Sequence, residues 1–225
     1  MISQIRQFFE NLDLTLHVSG VSVDNGNTTL TVADALHARE GMAVFVDFVE
    51  ATIVSVSANT CGSDIVIDGE FETPNLVELQ ALHVVLGTYR MANQALSAQP
   101  YGWEKYPCVF LASPVRSSGT AYDSEFDKLA TIRTAFLDEA DFANWEAIDY
   151  YEKRLNGLQR LAAHVERMMN ADRRFFGKLS GVSTEQMPKF GVFVDNAGSA
   201  NSLFNDRLTG VSFSATVPIK SNCIC

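Results

Sequence analysis

Between Leu14 and Phe71 the chain runs as a succession of short alternating segments, and this stretch constrains the fold more than any other. LTLHVSGVSV sets apolar and polar residues in turn, so an extended chain would present one apolar face. Asn25-Gly26 follows, a pair suited to the left-handed positions of a tight hairpin, and then TTLTVAD. MAVFVDFV, ATIVSVS and DIVIDGEF come next, rich in the Val, Ile, Thr and Phe that strands favour. Gly41, Gly62 and Gly69 fall where turns or bulges are needed. Short strands at this spacing predict a small barrel or sandwich.

The flanks have a different texture. Ile2, Ile5, Phe8, Phe9 and Leu12 recur at helical spacing behind Ser3 as N-cap, and predict a short amphipathic helix over 3–12. Beyond the β-rich stretch, LVELQALHVVLG predicts a strand running into the helix TYRMANQALSAQ, whose apolar positions are Tyr89, Met91, Ala92, Ala95 and Leu96. CVFLAS is a short buried strand ended by Pro114, and the polar residues 113–124 form a loop. KLATIRTAFLDEA is the next strand. The longest expected element is a helix over 145–173, with Ile148, Tyr151, Leu155, Leu158, Ala162, Val165 and Met169 as its buried stripe and Asp141 or Asn144 as its cap. FGVFVDN and RLTGVSFSATVPI complete a sheet across the polar loop AGSANSLFND. The expectation is an α+β fold. An antiparallel sheet is packed by a long helix from the C-terminal half, with a small all-β module inserted. The expected organisation is an N-terminal helix at 1–12, the inserted module at 13–75 and the α+β domain at 76–225.

Charge sharpens this division. The chain carries 17 Lys+Arg against 27 Asp+Glu, a net charge of −10. Residues 1–85 hold 12 acidic residues with only Arg6 and Arg39 as bases, whereas 86–225 hold 15 of each sign. Wrapping nucleic acid nonspecifically is excluded, because that binding rests on cations that neutralise phosphates. The acidic module is then a solubilising surface, a face for a basic partner, or the lining of a passage that repels DNA. The most apolar run, MAVFVDFV, is strand-length and broken by Asp47, so no membrane segment is expected. The start of the chain shows no basic leader ahead of an apolar run, and the expected compartment is the cytoplasm.

Chemistry-bearing motifs are sparse. His17, His37, His83 and His164 show no metal-ligand spacing. Cys108 sits in an apolar run as a buried thiol, Cys61 stands alone, and Cys223 and Cys225 form a reduced Cys-Ile-Cys tail lacking the second pair a zinc site needs. Phosphate-binding glycine loops and a hydrolase nucleophile elbow are missing. Asp138, Glu139 and Asp141 cluster after a strand, as acids at a helix start or as oxygen ligands for a divalent ion; the helix-start reading is preferred. Arg173 and Arg174 suit the C-terminal end of the long helix. No catalytic, cofactor-binding or metal-binding residue is assigned, and no enzyme is expected.

The strand ending at Gly87, then TYRMANQAL, KYPCVFL, a polar loop, TAFLDEAD, the long helix and FNDRLTGVSFSATVPI follow one another in a distinctive order. This layout over residues 80–222 resembles a family of structural proteins of tailed phages infecting Bacteroidetes-type hosts, crAss-like phages among them. It is similar to tail-terminator and tail-completion proteins. The motifs carrying the likeness are the Lys-Tyr-Pro step before a buried strand and the Asp-x-Leu-x-Gly-Val step into the last strand. The resemblance implies a non-enzymatic virion protein forming a homo-oligomeric ring at the head–tail junction or tail end. Its neighbours would be portal, connector or tail proteins, with DNA at most passing through the lumen. It further implies residence in the host cytoplasm during assembly and then in the virion, and loops 113–124 and 196–206 that reorder when a neighbour docks. The alternatives are a portal-proximal head–tail adaptor, a carbohydrate- or receptor-binding β-module at 14–71, and an enzyme using a divalent ion on the acids around Asp138. Against the β-module, its only aromatics are Phe45, Phe48 and Phe71, with no Trp or Tyr to stack on sugars.

Overall fold

The computed structural model describes residues 2–60, 62–98, 105–112, 116–118, 128–172, 176–197 and 199–219. Two units are present: Asp13–Ala81, and Met1–Leu12 together with Leu82–Cys225.

In the first unit the alternating runs become β1 (Thr15–Asp24), β2 (Asn27–Val32), β3 (Ala43–Val46), β4 (Val49–Asn59), β5 (Gly62–Asp68) and β6 (Leu76–Leu79). They pair antiparallel and close into a barrel in the order β1-β2-β5-β4-β3-β6. Asn25 and Gly26 take φ of 51° and 81°, the left-handed pair that lets a two-residue turn follow the strand twist. Leu16, Leu30, Val44, Ile53, Ile65, Ile67 and Val77 fill the interior. β6 closes the barrel by pairing Val77 with Leu16 of β1 and with Val46 of β3, and closure removes the unpaired edges an open sheet would expose. Gly62 is required where β5 begins, because a Cβ there would lie 2.2 Å from the Val32 carbonyl oxygen.

The second unit starts with α1 (Ile2–Glu10) and resumes at β7 (His83–Gly87), α2 (Tyr89–Ala98), β8 (Cys108–Ala112), β9 (Arg116–Ser118) and β10 (Lys128–Glu139). A helical stretch follows as α3 (Ala147–Tyr150), a π turn (Tyr151–Leu155) and α4 (Asn156–Ala171). β11 (Ser180–Phe190), β12 (Val192–Val194), β13 (Ala200–Ser202) and β14 (Leu208–Ile219) complete it. The sheet runs β11-β14-β10-β8-β7, with β9 also on β10. β10 and β14 pair along their whole length, from Lys128↔Ile219 to Glu139↔Leu208. Below the sheet, phenylalanines meet edge-on: Phe8 with Phe176 at 5.3 Å, Phe9 with Phe136 at 6.2 Å and Phe136 with Phe213 at 6.4 Å. Such ring pairs contribute about 0.5–1.5 kcal/mol each beyond the area they bury. On the opposite face Ala92 and Leu96 of α2 join Val85, Phe110, Leu137 and Leu208 in a second core.

This architecture corrects the α+β expectation. Of the described residues 49% are strand, six strands form the barrel, and helix is confined to short runs. The single helix expected to pack the sheet over 145–173 is replaced by α3, the π turn and α4. The sheet is also not purely antiparallel, since β7 and β8 pair in parallel across α2. LVELQALHVVLG splits between the units, its first part closing the barrel as β6 and its last part becoming β7. The stripe expected at Ile148 and Tyr151 is displaced too: Ile148 is 56% and Tyr151 37% exposed, while Tyr150 is buried. In the π turn the Asn156 amide donates to the Tyr151 carbonyl, five residues back. One extra residue in a turn rotates everything upstream by about 100° relative to the α stripe, so Tyr150 takes the inward position.

Candidate interaction surface

The acids around Asp138 were the strongest sequence lead to a reactive centre, and they separate in space. Asp138 is buried, with Oδ2 3.3 Å from Arg154 Nε. The Arg154 guanidinium also lies 5.2 Å from the Trp145 ring centre and donates to the Glu139 carbonyl at 3.3 Å. Glu139 itself is exposed. Asp141 has its own partners and accepts from the Asn144 side chain at 2.6 Å and from the Ala143 and Asn144 amides. Those bonds, the Asn144 side chain first, hold its carboxyl below the ordinary range. The helix is capped by neither Asp141 nor Asn144: Glu146 is the N-cap, in a reciprocal box with Asp149. Among the described residues no group of three His, Cys, Asp or Glu could hold a metal ion.

The remaining sequence candidates are scattered. His17 is exposed on the barrel, His37 is buried, and His83 and His164 are half-buried in the second unit. Burial lowers the pKa of His83 and raises that of the Cys108 thiol. Cys61, Cys223, Cys225, Arg173 and Arg174 lie outside the described residues. Of the loop 113–124, residues 116–118 form β9 against β10, and the rest lies outside the described residues.

The loop expected at 196–206 builds a different feature. β12 and β13 form a two-stranded ribbon, with Phe193 opposite Asn201. Its turn is held by Asp195, whose carboxylate accepts from the Ala197 amide at 2.9 Å, the Ser199 amide at 2.8 Å and the Asn201 side chain at 2.9 Å. These bonds, the Ser199 amide first, pull the Asp195 carboxyl below its usual range. The base is equally fixed: Phe190 and Phe204 are buried against Tyr89, with ring centres 6.2 and 6.1 Å from it. Gly191 is needed there, since its φ is +74° and a Cβ would approach the Phe204 ring to 2.7 Å. The outer part is apolar and uncovered: Phe193 is 46%, Val194 68% and Leu203 43% exposed.

The two motifs singled out in the sequence meet where the ribbon returns to the core. Asp206 Oδ2 accepts from buried Lys105 Nζ at 2.8 Å and from Tyr106 OH at 2.7 Å, and Lys105 also donates to the Leu96 carbonyl. Asn205 donates to Asn93 and Ser97 of α2. Beside the ribbon's base the sheet face opens into a cleft of about 420 Å³. Tyr89, Phe110, Met187 and Phe190 line one end; Thr131, Arg133, Glu185, Ser212 and Ser214 line the other. β11 borders it as an edge strand interrupted by two register shifts and carrying Pro188 and Lys189, features that discourage indiscriminate strand addition. FGVFVDN, expected as a strand of the sheet, instead supplies β12 of the separate ribbon, while β13 and the edge strand β11 were not legible because neither shows an apolar alternation. The sequence matches no protein-family model and no curated protein. Among the described residues no helix is long and apolar enough to cross a membrane.

Proposed function

We propose that this chain is a non-enzymatic structural subunit of a tailed-phage virion, forming a ring at the head–tail junction or tail end through its β12–β13 ribbon. The observation that carries the reading is the ribbon itself. Its turn and base are fixed by the Asp195 bonds and the Phe190–Phe204 pair, yet Phe193, Val194 and Leu203 point into solvent. A ribbon with three residues in each strand does not stand by itself in water. A rigid apolar projection is what a heterologous contact uses: one subunit's ribbon on a different patch of the next, with rotation closing the ring. The likeness of KYPCVFL and FNDRLTGVSFSATVPI to tail-terminator proteins supports the same reading. Both motifs meet at Asp206, at the foot of the ribbon.

The test is the paired substitution Phe193→Ser with Val194→Ser, compared with the parent by light scattering over a concentration series. The parent is expected to assemble and the variant to remain monomeric with unchanged circular dichroism. Equal masses for the two proteins would remove the ribbon from assembly.

A further inference from the structure

Phe48 is 96% exposed, and it stands where the backbone least favours it. β3 and β4 are joined by Asp47 and Phe48 alone, with φ of +49° and +68°. That turn prefers Asn-Gly, and a bulky side chain at positive φ is an outlier that fold stability does not select. The surroundings make the ring part of a patch. On the barrel's outer face Phe45 is 40% exposed, flanked by its direct cross-strand neighbours Glu50 of β4 and Glu78 of β6. Leu76, two positions along β6 from Glu78, is 45% exposed and within diagonal reach of Phe45. The unit Asp13–Ala81 as a whole carries eleven acidic residues and Arg39 as its single Lys or Arg, so the chain's whole net charge of −10 resides in it.

We propose that the β3–β4 tip is a docking site for a basic, amphipathic protein segment. Apolar side chains of the partner cover Phe48, Phe45 and Leu76, and its lysines or arginines meet Asp47, Glu50 and Glu78. Charge complementarity selects this occupant. The same field repels nucleic acid and anionic lipid, and a lone cation would have no use for the phenylalanines. Apolar anchors supply the binding energy, and the carboxylates supply encounter rate and choice of partner. The inference goes beyond the assembly reading and uses none of its residues.

The experiment is fluorescence anisotropy of a labelled synthetic Lys/Leu amphipathic peptide titrated with the full chain. Oligolysine and phosphatidylcholine vesicles serve as parallel probes. Phe48→Ser is expected to weaken the amphipathic peptide by at least about tenfold, as loss of an interface anchor does. Neutralising Glu50 and Glu78 to Gln is expected to weaken it as well and to flatten its salt dependence, while oligolysine binds more weakly and ignores Phe48. Because Phe48 is exposed, circular dichroism of the variant should match the parent. Peptide affinity unchanged by Phe48→Ser would overturn the proposal. So would oligolysine binding as tightly as the amphipathic peptide, or Phe48-dependent capture by the vesicles.

Discussion

One carboxylate oxygen, Asp206 Oδ2, accepts from both Lys105 and Tyr106, and this pairing joins segments a hundred residues apart. Replacing Asp206 by Ala removes the carboxylate partner of the largely buried Lys105 ammonium, leaving among the described residues the Leu96 carbonyl and the face of the Tyr106 ring. A cost of about 3 kcal/mol is expected in urea unfolding, at the low end for a broken buried pair because Asp206 is partly exposed. Two neighbours set a pH limit. Burial, helped by the hydrogen bond to Asp206, raises the Tyr106 pKa; burial, helped by the Asp138 charge, raises that of Cys108. The unfolded chain releases these protons at the ordinary values, 9.0 for the thiol and 10.0 for the phenol, while the folded chain keeps them. Their stabilisation is therefore complete below pH 9 and falls as pH rises above it. The urea midpoint should drop over that range, and Tyr106→Phe should make the drop shallower. His83 acts in the opposite sense. Its lowered pKa means that the unfolded chain takes up a proton first, so its contribution is lost as pH falls below 6.5.

At the scale of elements, the π turn decides which side of the helical stretch faces inward. Tyr150→Ala should cost about 3–5 kcal/mol, as removal of a buried aromatic does. Ile148→Ala should change stability by less than about 0.5 kcal/mol. A helix of uniform α period would reverse these two results. The barrel's first five strands were legible from their alternation. Burial enforces it in β5, where every second residue from Ser63 to Ile67 is buried, but in LTLHVSGVSV only at Leu14 and Leu16, since Val21 and Val23 are exposed. β11 was not legible: SGVSTEQMPKF is an edge strand with its burial spread over both faces, and nothing in it enforces alternation. The split of LVELQALHVVLG was hidden for another reason. Leu76–Leu79 and His83–Gly87 are both apolar strands, and only tertiary pairing assigns one to the barrel and the other to the sheet. Of the surface, the apolar FGVFV was visible, but its projection depends on Asp195 and Gly191, whose roles need the folded geometry.

At the scale of the molecule, charge and apolar exposure divide between the units. The barrel holds the net negative charge and the Phe48 tip, and the sheet unit holds equal numbers of acids and bases and the ribbon. The two proposed tasks are separate: the ribbon joins copies of the chain, and the acidic tip recruits a basic neighbour. These tasks should separate experimentally, with Phe48→Ser leaving the mass in solution unchanged. Ring formation is tested by averaged electron-microscope images of the purified protein at concentrations where light scattering shows more than one chain per particle. Closed rings with an open centre are expected, and they should vanish in the Phe193→Ser, Val194→Ser variant. Monomers at every concentration, or compact dimers that survive the ribbon substitutions, would contradict ring formation.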